Sequence, residues 1–574
     1  MRTIYKCDVL VIGSEAAGAR AVIEAKKCVD GVSVILISKG RFGQSGATIT
    51  AGAAIAVDSR SACKLLGLPG DMEDSVDAFF EDTLKEGGSI NNKRLVRSLS
   101  REAGIRAKEL VEWGMKISGL FKAPGHRYPR LVYTSGLEIM KALKRETRKH
   151  AVELLEEFMV TDLLVKDTGE VVGCVGINLR SGEFSPVLAK AVVLATGGTH
   201  QLYPLRTAPD QLSGDGQAMA WRAGADLVDM EMTQFNPCTF KDPPAWRGIS
   251  FPFWIGPEGG LDIWLLNRYG ERFMKRWDTE RMEKSTRDKL AIAIAHEIEE
   301  GRGGLNGGIY YSMRHLPTNL IDFFPHWYRT SNLSSDWTFR RGFNFKKVVS
   351  DLKEGLAIEV APAIHFFMGG VAINEKGETN LPGLFAAGEV AGGVHGANRL
   401  SGNALSQAFV QGAIAGRSAS RFAKQAKHNQ DLTKESFEML KQKAEKPLHR
   451  KSGISAYELK REIQVNAEKA IGVIRKAESL KKALEKLEGW KKEWVSGNVC
   501  RSKERVYNLE WIECMQIENL LVVFESIARS ALARTESRGA HYRQDFPIMQ
   551  KEWERNIVTT NKRNKVETVL KNVV

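Results

Sequence analysis

The feature that most constrains this chain is an apolar run, Cys7-Asp8-Val9-Leu10-Val11-Ile12, that breaks into Gly13-Ser14-Glu15-Ala16-Ala17-Gly18. Apolar residues at helical spacing follow from Ala19 to Lys27, and Val32 to Ser38 forms a second apolar run. Continuous apolar runs of this length read as parallel strands covered on both faces, so the segment is a βαβ unit. Its glycine turn sits at the strand-to-helix junction, where free N–H groups and a helix N-terminus favour a phosphate. The turn departs from G-x-G-x-x-G because Glu15 takes the middle glycine's place. Its side chain is therefore expected to point away from a bound pyrophosphate, towards a ribose or solvent. The second strand ends in Ser38-Lys39, without the acidic residue that grips a nicotinamide dinucleotide's ribose. A turn of this kind, taken alone, is as readily a plain structural turn as a phosphate cradle.

At 574 residues the chain is too long for one ordinary core. Its 43% hydrophobic and 26% charged residues are those of a globular protein, with no apolar stretch of membrane-spanning length. The formal net charge of +14 admits an anionic ligand, an acidic partner or a solvated Lys-rich surface. No interleaved aromatic and basic pattern or zinc module points to nucleic acid. Seven cysteines are scattered without a C-x-x-C pair, which removes the usual spacing for an iron–sulfur cluster or structural zinc, so no metal site is expected. Their odd, dispersed count argues against a disulfide framework, and Met1 leads almost directly into a strand-like run. A cytoplasmic location, with membrane association only through partner subunits, is the expectation.

The α/β alternation continues to residue 240, with another apolar strand at 191–194 running into Ala195-Thr196-Gly197-Gly198. Residues 241–357 gain Trp, Pro and Arg and lose the alternation, as an inserted capping domain of mixed α+β type would. The α/β pattern resumes over 358–430 with Gly383-Leu384-Phe385-Ala386-Ala387-Gly388-Glu389 and a helix from about Ser401 to Lys424. Residues 431–574 are Lys/Glu-rich with helical periodicity. The expected fold is α/β: a Rossmann-type dinucleotide-binding domain in two parts (1–240 and 358–430), the insert, and a helical C-terminal domain.

A set of ordered motifs sharpens this reading. They are Ser45 to Val57, the Ala195 to Gly198 turn, Gly214-Asp215-Gly216, Gly270-Glu271-Arg272-Phe273, His365-Phe366-Phe367-Met368-Gly369-Gly370, His395-Gly396-Ala397-Asn398-Arg399-Leu400-Ser401-Gly402-Asn403 and Glu536-Ser537-Arg538-Gly539-Ala540-His541. With them the chain resembles, over nearly its whole length, the flavoprotein subunit of the fumarate reductase and succinate dehydrogenase family. L-aspartate oxidase and, more distantly, adenylylsulfate reductase are relatives. The resemblance implies FAD held by Gly13, Glu15, Ala17, Gly18, Ser38, Lys39, Ser45, Gly46, Thr48, Gly52, Ala195, Thr196, Gly197, Asp215, Glu389, Arg399, Ser401, Asn403 and Leu405. Family members often attach FAD covalently through a histidine in the segment matching Ser45 to Val57. This chain has Gly46 there and no histidine nearby, which implies non-covalent FAD.

The resemblance also implies hydride transfer between the flavin and a carbon beside a carboxylate, with an arginine handling the proton. Arg287 matches that arginine, and Arg399 and His365 match residues that grip a substrate carboxylate. On spacing alone, Arg287 is a surface helix residue and His365 a core histidine. His395 matches no clear role beyond lining the flavin. The second half-site departs from the family: Asn236 stands where a histidine is expected after Gln234-Phe235, with Thr239 three residues on. The T-E-G-x-R-G-E-G-G run is replaced by a loop containing Glu258 but no arginine. A C4 dicarboxylate such as fumarate or succinate is the leading substrate, and a separate iron–sulfur subunit the expected electron partner. The alternatives are an L-aspartate oxidase-like enzyme, a reductase of another carboxylate or oxyanion, and an electron-transfer flavin subunit of a larger complex.

Overall fold

The computed structural model describes residues 4–52, 54–242, 244–250, 263–322, 344–427, 434–562 and 564–574. Its central sheet begins with the strand Tyr5–Ile12, flanked in parallel by Val34–Ser38 and Phe184–Leu194. Val9, Leu10 and Val11 of the first strand are fully buried, as the unbroken apolar run requires. Glu153–Glu156 extends the sheet on one side. On the other side Phe184–Leu194 is shared. Its first half pairs antiparallel with Val171–Asn178, which in turn pairs with Phe158–Val165. Its last residues pair in parallel with Leu384–Ala386, so the sheet is completed by a segment from far along the chain.

The helix Ala16–Cys28 follows the first strand directly and packs along the helix Asn403–Gln425. Their backbones meet at small residues. A Cβ on Gly412 would lie 2.4 Å from the Ala17 carbonyl oxygen, and one on Gly416 would lie 2.1 Å from that of Ala21. This contact locks residues 403–425 onto the dinucleotide-type unit and so fixes where the N-terminus of that helix points.

The insert is built on an antiparallel sheet in the order Thr233–Phe240, Ile358–Phe367, Ile309–Ser312 and Trp264–Leu266. Its two long strands lie just outside 241–357, so the chain enters and leaves the insert through paired strands. The helix Arg287–Glu299 packs on this sheet. The C-terminal region contains the helices Lys434–His449, Ala456–Ala470, Ala477–Gly497 and Leu509–Ala533. It ends in a hairpin, Arg555–Lys562 with Lys565–Asn572, that joins the short strands Leu227–Val228 and Gly370–Val371 in one sheet. Buried Arg534 pairs with Glu231 at 2.7 Å and with Glu536 at 3.1 Å, tying this region to the base of the insert. No helix among the described residues is long and apolar enough to cross a membrane.

The backbone contact between the two helices gives a direct test. Gly416→Ala is expected to destabilise the protein by about 1–3 kcal/mol, the usual cost of overpacking a close interface. Chemical denaturation reads this as a lowered midpoint, and a midpoint equal to wild type would show that the helices separate freely.

Candidate active site

One cavity of about 1230 Å³ runs from the Gly13 turn to the strands of the insert. At its first end the turn is held by contact rather than by sequence pattern alone. A Cβ on Gly18 would fall 1.7 Å from the Gly13 carbonyl oxygen, so only glycine lets the helix start this close to the strand. The Ser14 hydroxyl donates to Ser38 Oγ at 2.7 Å, joining the ends of the two strands. Lys39 Nζ donates to Asp215 at 2.6 Å and to Ser213 at 2.8 Å, and Asn519 of the last long helix donates to the same Asp215 at 2.8 Å.

Glu15 does not follow the expectation of a side chain turned to ribose or solvent. It turns across the cleft floor and accepts from the Thr48 N–H at 2.7 Å, while Thr48 Oγ1 accepts from the Ala16 N–H at 3.2 Å. Burial pushes its carboxyl up to about 7, against the opposing hydrogen bonds from Thr48. Gly46, at φ 94°, leaves the room this needs, since a Cβ there would meet the Glu15 carboxylate at 2.2 Å.

The other end of the cavity is cationic. Arg287 opens its helix and donates through Nη2 to Ser401 Oγ at 2.9 Å. Arg399, 5% exposed, donates through Nε to Gln234 Oε1 at 3.1 Å and lies 4.8 Å from the centre of the Phe366 ring. His365 Nδ1 is 2.9 Å from Thr207 Oγ1. Burial is the first cause that lowers the pKa of each of these three groups; for Arg399 and His365, like charge from the neighbouring arginines adds to it. Glu389, which accepts from the Phe367 N–H at 3.0 Å, is the carboxylate that counters Arg399. Residues 403–425 begin immediately beyond Ser401 and Gly402, so a helix N-terminus also faces this end and favours negative charge there.

The cavity lining thus brings together Gly13, Glu15, Ala17, Ser38, Lys39, Ser45, Gly46, Thr48, Gly52, Ala195, Thr196, Gly197, Asp215, Asn236, Arg287, His365, Glu389, Arg399, Ser401 and Leu405. Gly18 and Asn403 stand behind it: Gly18 supports the turn, and Asn403 donates to Thr83 Oγ1 at 3.2 Å. Thr239 is buried in its strand and does not reach the lining, and Glu258 lies outside the described residues. His395 is also behind the wall, bonded to Gln407 at 2.7 Å and packed edge-on against Phe366. Asn236 lines the cavity with its amide already engaged, donating to Ser250 Oγ at 3.0 Å and accepting from the Cys238 N–H at 3.1 Å. Sequence reasoning missed Thr207, Ser250, Arg206 and Arg247, all in the lining. Nothing in their local pattern marks them; they are brought in by loops following strand ends.

The fold and cavity fit a dinucleotide cofactor. The volume exceeds that of an ordinary small-ligand pocket, the Gly13–Gly18 turn leaves bare backbone at one end, and Thr196 Oγ1 lies buried in the wall without a hydrogen-bond partner among the described residues. The class these features define is an FAD-binding oxidoreductase. Comparison with known proteins agrees: a family model described as FAD binding domain matches residues 8–405, and one described as Fumarate reductase flavoprotein C-term matches residues 460–574. Among curated proteins, one subunit of the fumarate reductase (CoM/CoB) of Methanothermobacter marburgensis is 39% identical over 97% of this chain and 98% of its own length. The fumarate reductase flavoprotein subunit of Mycobacterium tuberculosis is 31% identical over 94% of this chain and 92% of its own length. The solved structure of Mycobacterium smegmatis Sdh1 in complex with UQ1 superposes with a TM-score of 0.87 at 30% identity, covering 100% of this chain and 95% of that one. The chain belongs to the fumarate reductase and succinate dehydrogenase flavoprotein family, and it is an FAD-dependent oxidoreductase.

Glu15 yields a pH prediction. A carboxyl whose folded pKa is raised adds stability at low pH and loses it as pH climbs from the ordinary value through about 7. The apoprotein should therefore melt at a lower temperature at pH 7.5 than at pH 5 in part through Glu15, and Glu15→Gln should narrow that gap. Calorimetry of both apoproteins checks it; an unchanged gap would mean that Glu15 titrates normally.

Proposed function

We propose that this protein catalyses hydride exchange with a C4 dicarboxylate, interconverting fumarate and succinate, on a non-covalently held FAD. The observation that carries the reading is that two guanidinium groups, half-buried Arg287 and buried Arg399, share one cavity with His365, Glu389 opposing the charge of Arg399 and Glu86 that of Arg287. A site that collects this much positive charge away from water favours an anion, and a planar fork such as Arg399 suits a carboxylate. Thr207 Oγ1, 2.9 Å from Nδ1, fixes the His365 ring, and Nε2, when it carries the proton, donates to the same carboxylate. Bound FAD supplies or takes the hydride. Arg287 then hands a proton to, or receives one from, the neighbouring carbon; its burial lowers the pKa and makes this less costly than for an exposed arginine.

Asn236 replaces the expected cationic partner for the second carboxylate with a neutral amide. This favours a substrate whose second acid group is held by hydrogen bonds and by the surrounding positive field. Electrons are passed to or from a separate iron–sulfur subunit, since the cysteines lack cluster spacing.

Three outcomes test this reading. Reduced under anaerobic conditions, the holoprotein should regain its oxidised-flavin absorbance on addition of fumarate; a spectrum that stays bleached would remove fumarate as substrate. Arg287→Ala should slow that reoxidation by about 100-fold or more while leaving the oxidised spectrum unchanged, and near-wild-type rates would take Arg287 out of the chemistry. On acid precipitation the yellow colour should pass wholly into the supernatant, whereas colour in the pellet would mean a covalent link.

A further inference from the structure

Outside the cavity lining, two of the seven cysteines meet. Cys500 Sγ lies 3.5 Å from Cys514 Sγ, and the two residues are 0% and 1% exposed. No other cysteine sulfurs come within hydrogen-bonding distance of each other among the described residues. The surrounding chain sets this approach. Cys500 follows the short strand Asn498–Val499, which pairs in parallel with Ile454–Ser455. Cys514 lies on the helix Leu509–Ala533, one turn after Glu510 and on the same face. Glu510 accepts from the Arg501 N–H at 2.6 Å and from the Ser502 N–H at 3.2 Å. The consecutive residues 500 and 501 therefore meet consecutive turns of one helix, which holds the two sulfurs against each other. A disulfide bond is about 2.05 Å long, so a shift of roughly 1.5 Å, shared by two side chains, would close it.

The chain between them is a docking strap. Tyr507 donates its N–H to the Leu179 carbonyl at 2.8 Å and its hydroxyl to Glu157 at 3.1 Å, beside the strands Phe158–Val165 and Val171–Asn178. Arg505 pairs with Glu445 at 2.5 Å and backs onto Gly182, where a Cβ would lie 2.2 Å from Arg505 Cβ. Tyr507 sits at φ 48°, a left-handed conformation that these contacts must hold in place. The strap thus ties the last long helix to the FAD-binding part of the molecule. Residues 501–504 are exposed, so a small reagent meets Cys500 first when the strap loosens. The hydrogen bond with Cys500, followed by burial, pushes the Cys514 thiol up and makes it the slower nucleophile.

We propose that Cys500 and Cys514 are a modification site, forming a reversible disulfide by exchange with a small-molecule disulfide and so stapling the base of this strap. Cys500 gives its S–H proton to water, and its sulfur attacks one sulfur of the reagent. One thiol leaves, taking up a proton, and a mixed disulfide remains. Cys514 then loses its proton, attacks Cys500 Sγ and expels the second thiol. Two protein S–H bonds are exchanged for one S–S bond, and the reagent is reduced to two thiols. The step involves neither flavin nor substrate, so it stands whatever carboxylate the enzyme uses.

The test incubates the reduced full-length holoprotein with hydroxyethyl disulfide, flavin absorbance confirming that the fold persists. Two of the seven thiols should disappear. A tryptic digest without reductant should contain the peptides 493–501 and 506–529 joined together, and dithiothreitol should part them. Amide exchange over 501–508 should slow about tenfold in the linked protein, because the strap then opens from a closed base. Cys514→Ser should stop at a mixed disulfide on Cys500, and Cys500→Ser should give no linked peptides. Folded wild-type protein that keeps all its thiols would overturn the proposal, as would linkage through other cysteines or a mixed disulfide that never closes. Unchanged amide exchange in the linked protein would remove the stapling role. Should a serine variant fail to fold, the wild-type thiol count and peptide map still decide the matter.

Discussion

Everything at the working end of this molecule depends on holding two arginines in the lining of one cavity. Arg399 is buried and feels Arg287 as its strongest repulsive neighbour. Arg287 is also the first residue of a helix, where the dipole opposes positive charge, and the helix 403–425 adds its own positive end beside Ser401. Local rules of stability are broken three times at one point. Such violations concentrate where function needs them and must be offset by the surrounding structure. Here the offsets are Glu389 for Arg399 and Glu86 for Arg287, and an anionic ligand would complete the balance.

The offset works because the charges are tied to each other through neutral amides. Gln234 accepts from Arg399 Nε and donates to Asn398, and Asn398 donates to the carboxyls of Glu86 and Asp288. Gln234 belongs to an insert strand, Asn398 and Arg399 to the loop before the helix 403–425, and Glu86 to a helix near the start of the chain. One chain of hydrogen bonds therefore registers three distant segments against one another. An amide can donate and accept at once, so it joins unlike groups without adding charge to a site that already has too much. Losing either amide would leave a buried charged group partly unsatisfied, which costs more than the bond itself contributes.

The frame of this arrangement was legible from residue pattern because it rests on long apolar runs. Val9 to Val11 and Val34 to Ile37 could be nothing but buried strands, and the helix after Gly18 and the long helix after Gly402 follow from ordinary periodicity. The site was legible only through family motifs, since Arg287 and His365 carry no local mark of their role. What remained hidden depends on contacts across the fold. Thr207 orients His365 from 158 positions away. Glu86 differs from any solvent-facing helix glutamate only by the company of Asn398 and Asp288. The closing hairpin hid inside a Lys-rich segment read as helical throughout, although Ile557, Val558 and Val566 are buried by its pairing with Leu227–Val228.

Glu15 shows how two departures from pattern can be one physical fact. A glutamate in the middle of the glycine turn must send its carboxyl somewhere, and the backbone at Gly46 to Thr48 receives it through the Thr48 N–H. That route is open only while residue 46 lacks a side chain, because a Cβ there would overlap the carboxylate. A larger residue at 46, a histidine able to bond a flavin included, would have to displace the Glu15 carboxylate and leave the Thr48 N–H without its acceptor. The glutamate in the turn and the bare glycine beside the cleft are therefore a matched pair. Exchanging either alone strains the floor on which the cofactor rests, so the two positions must change together.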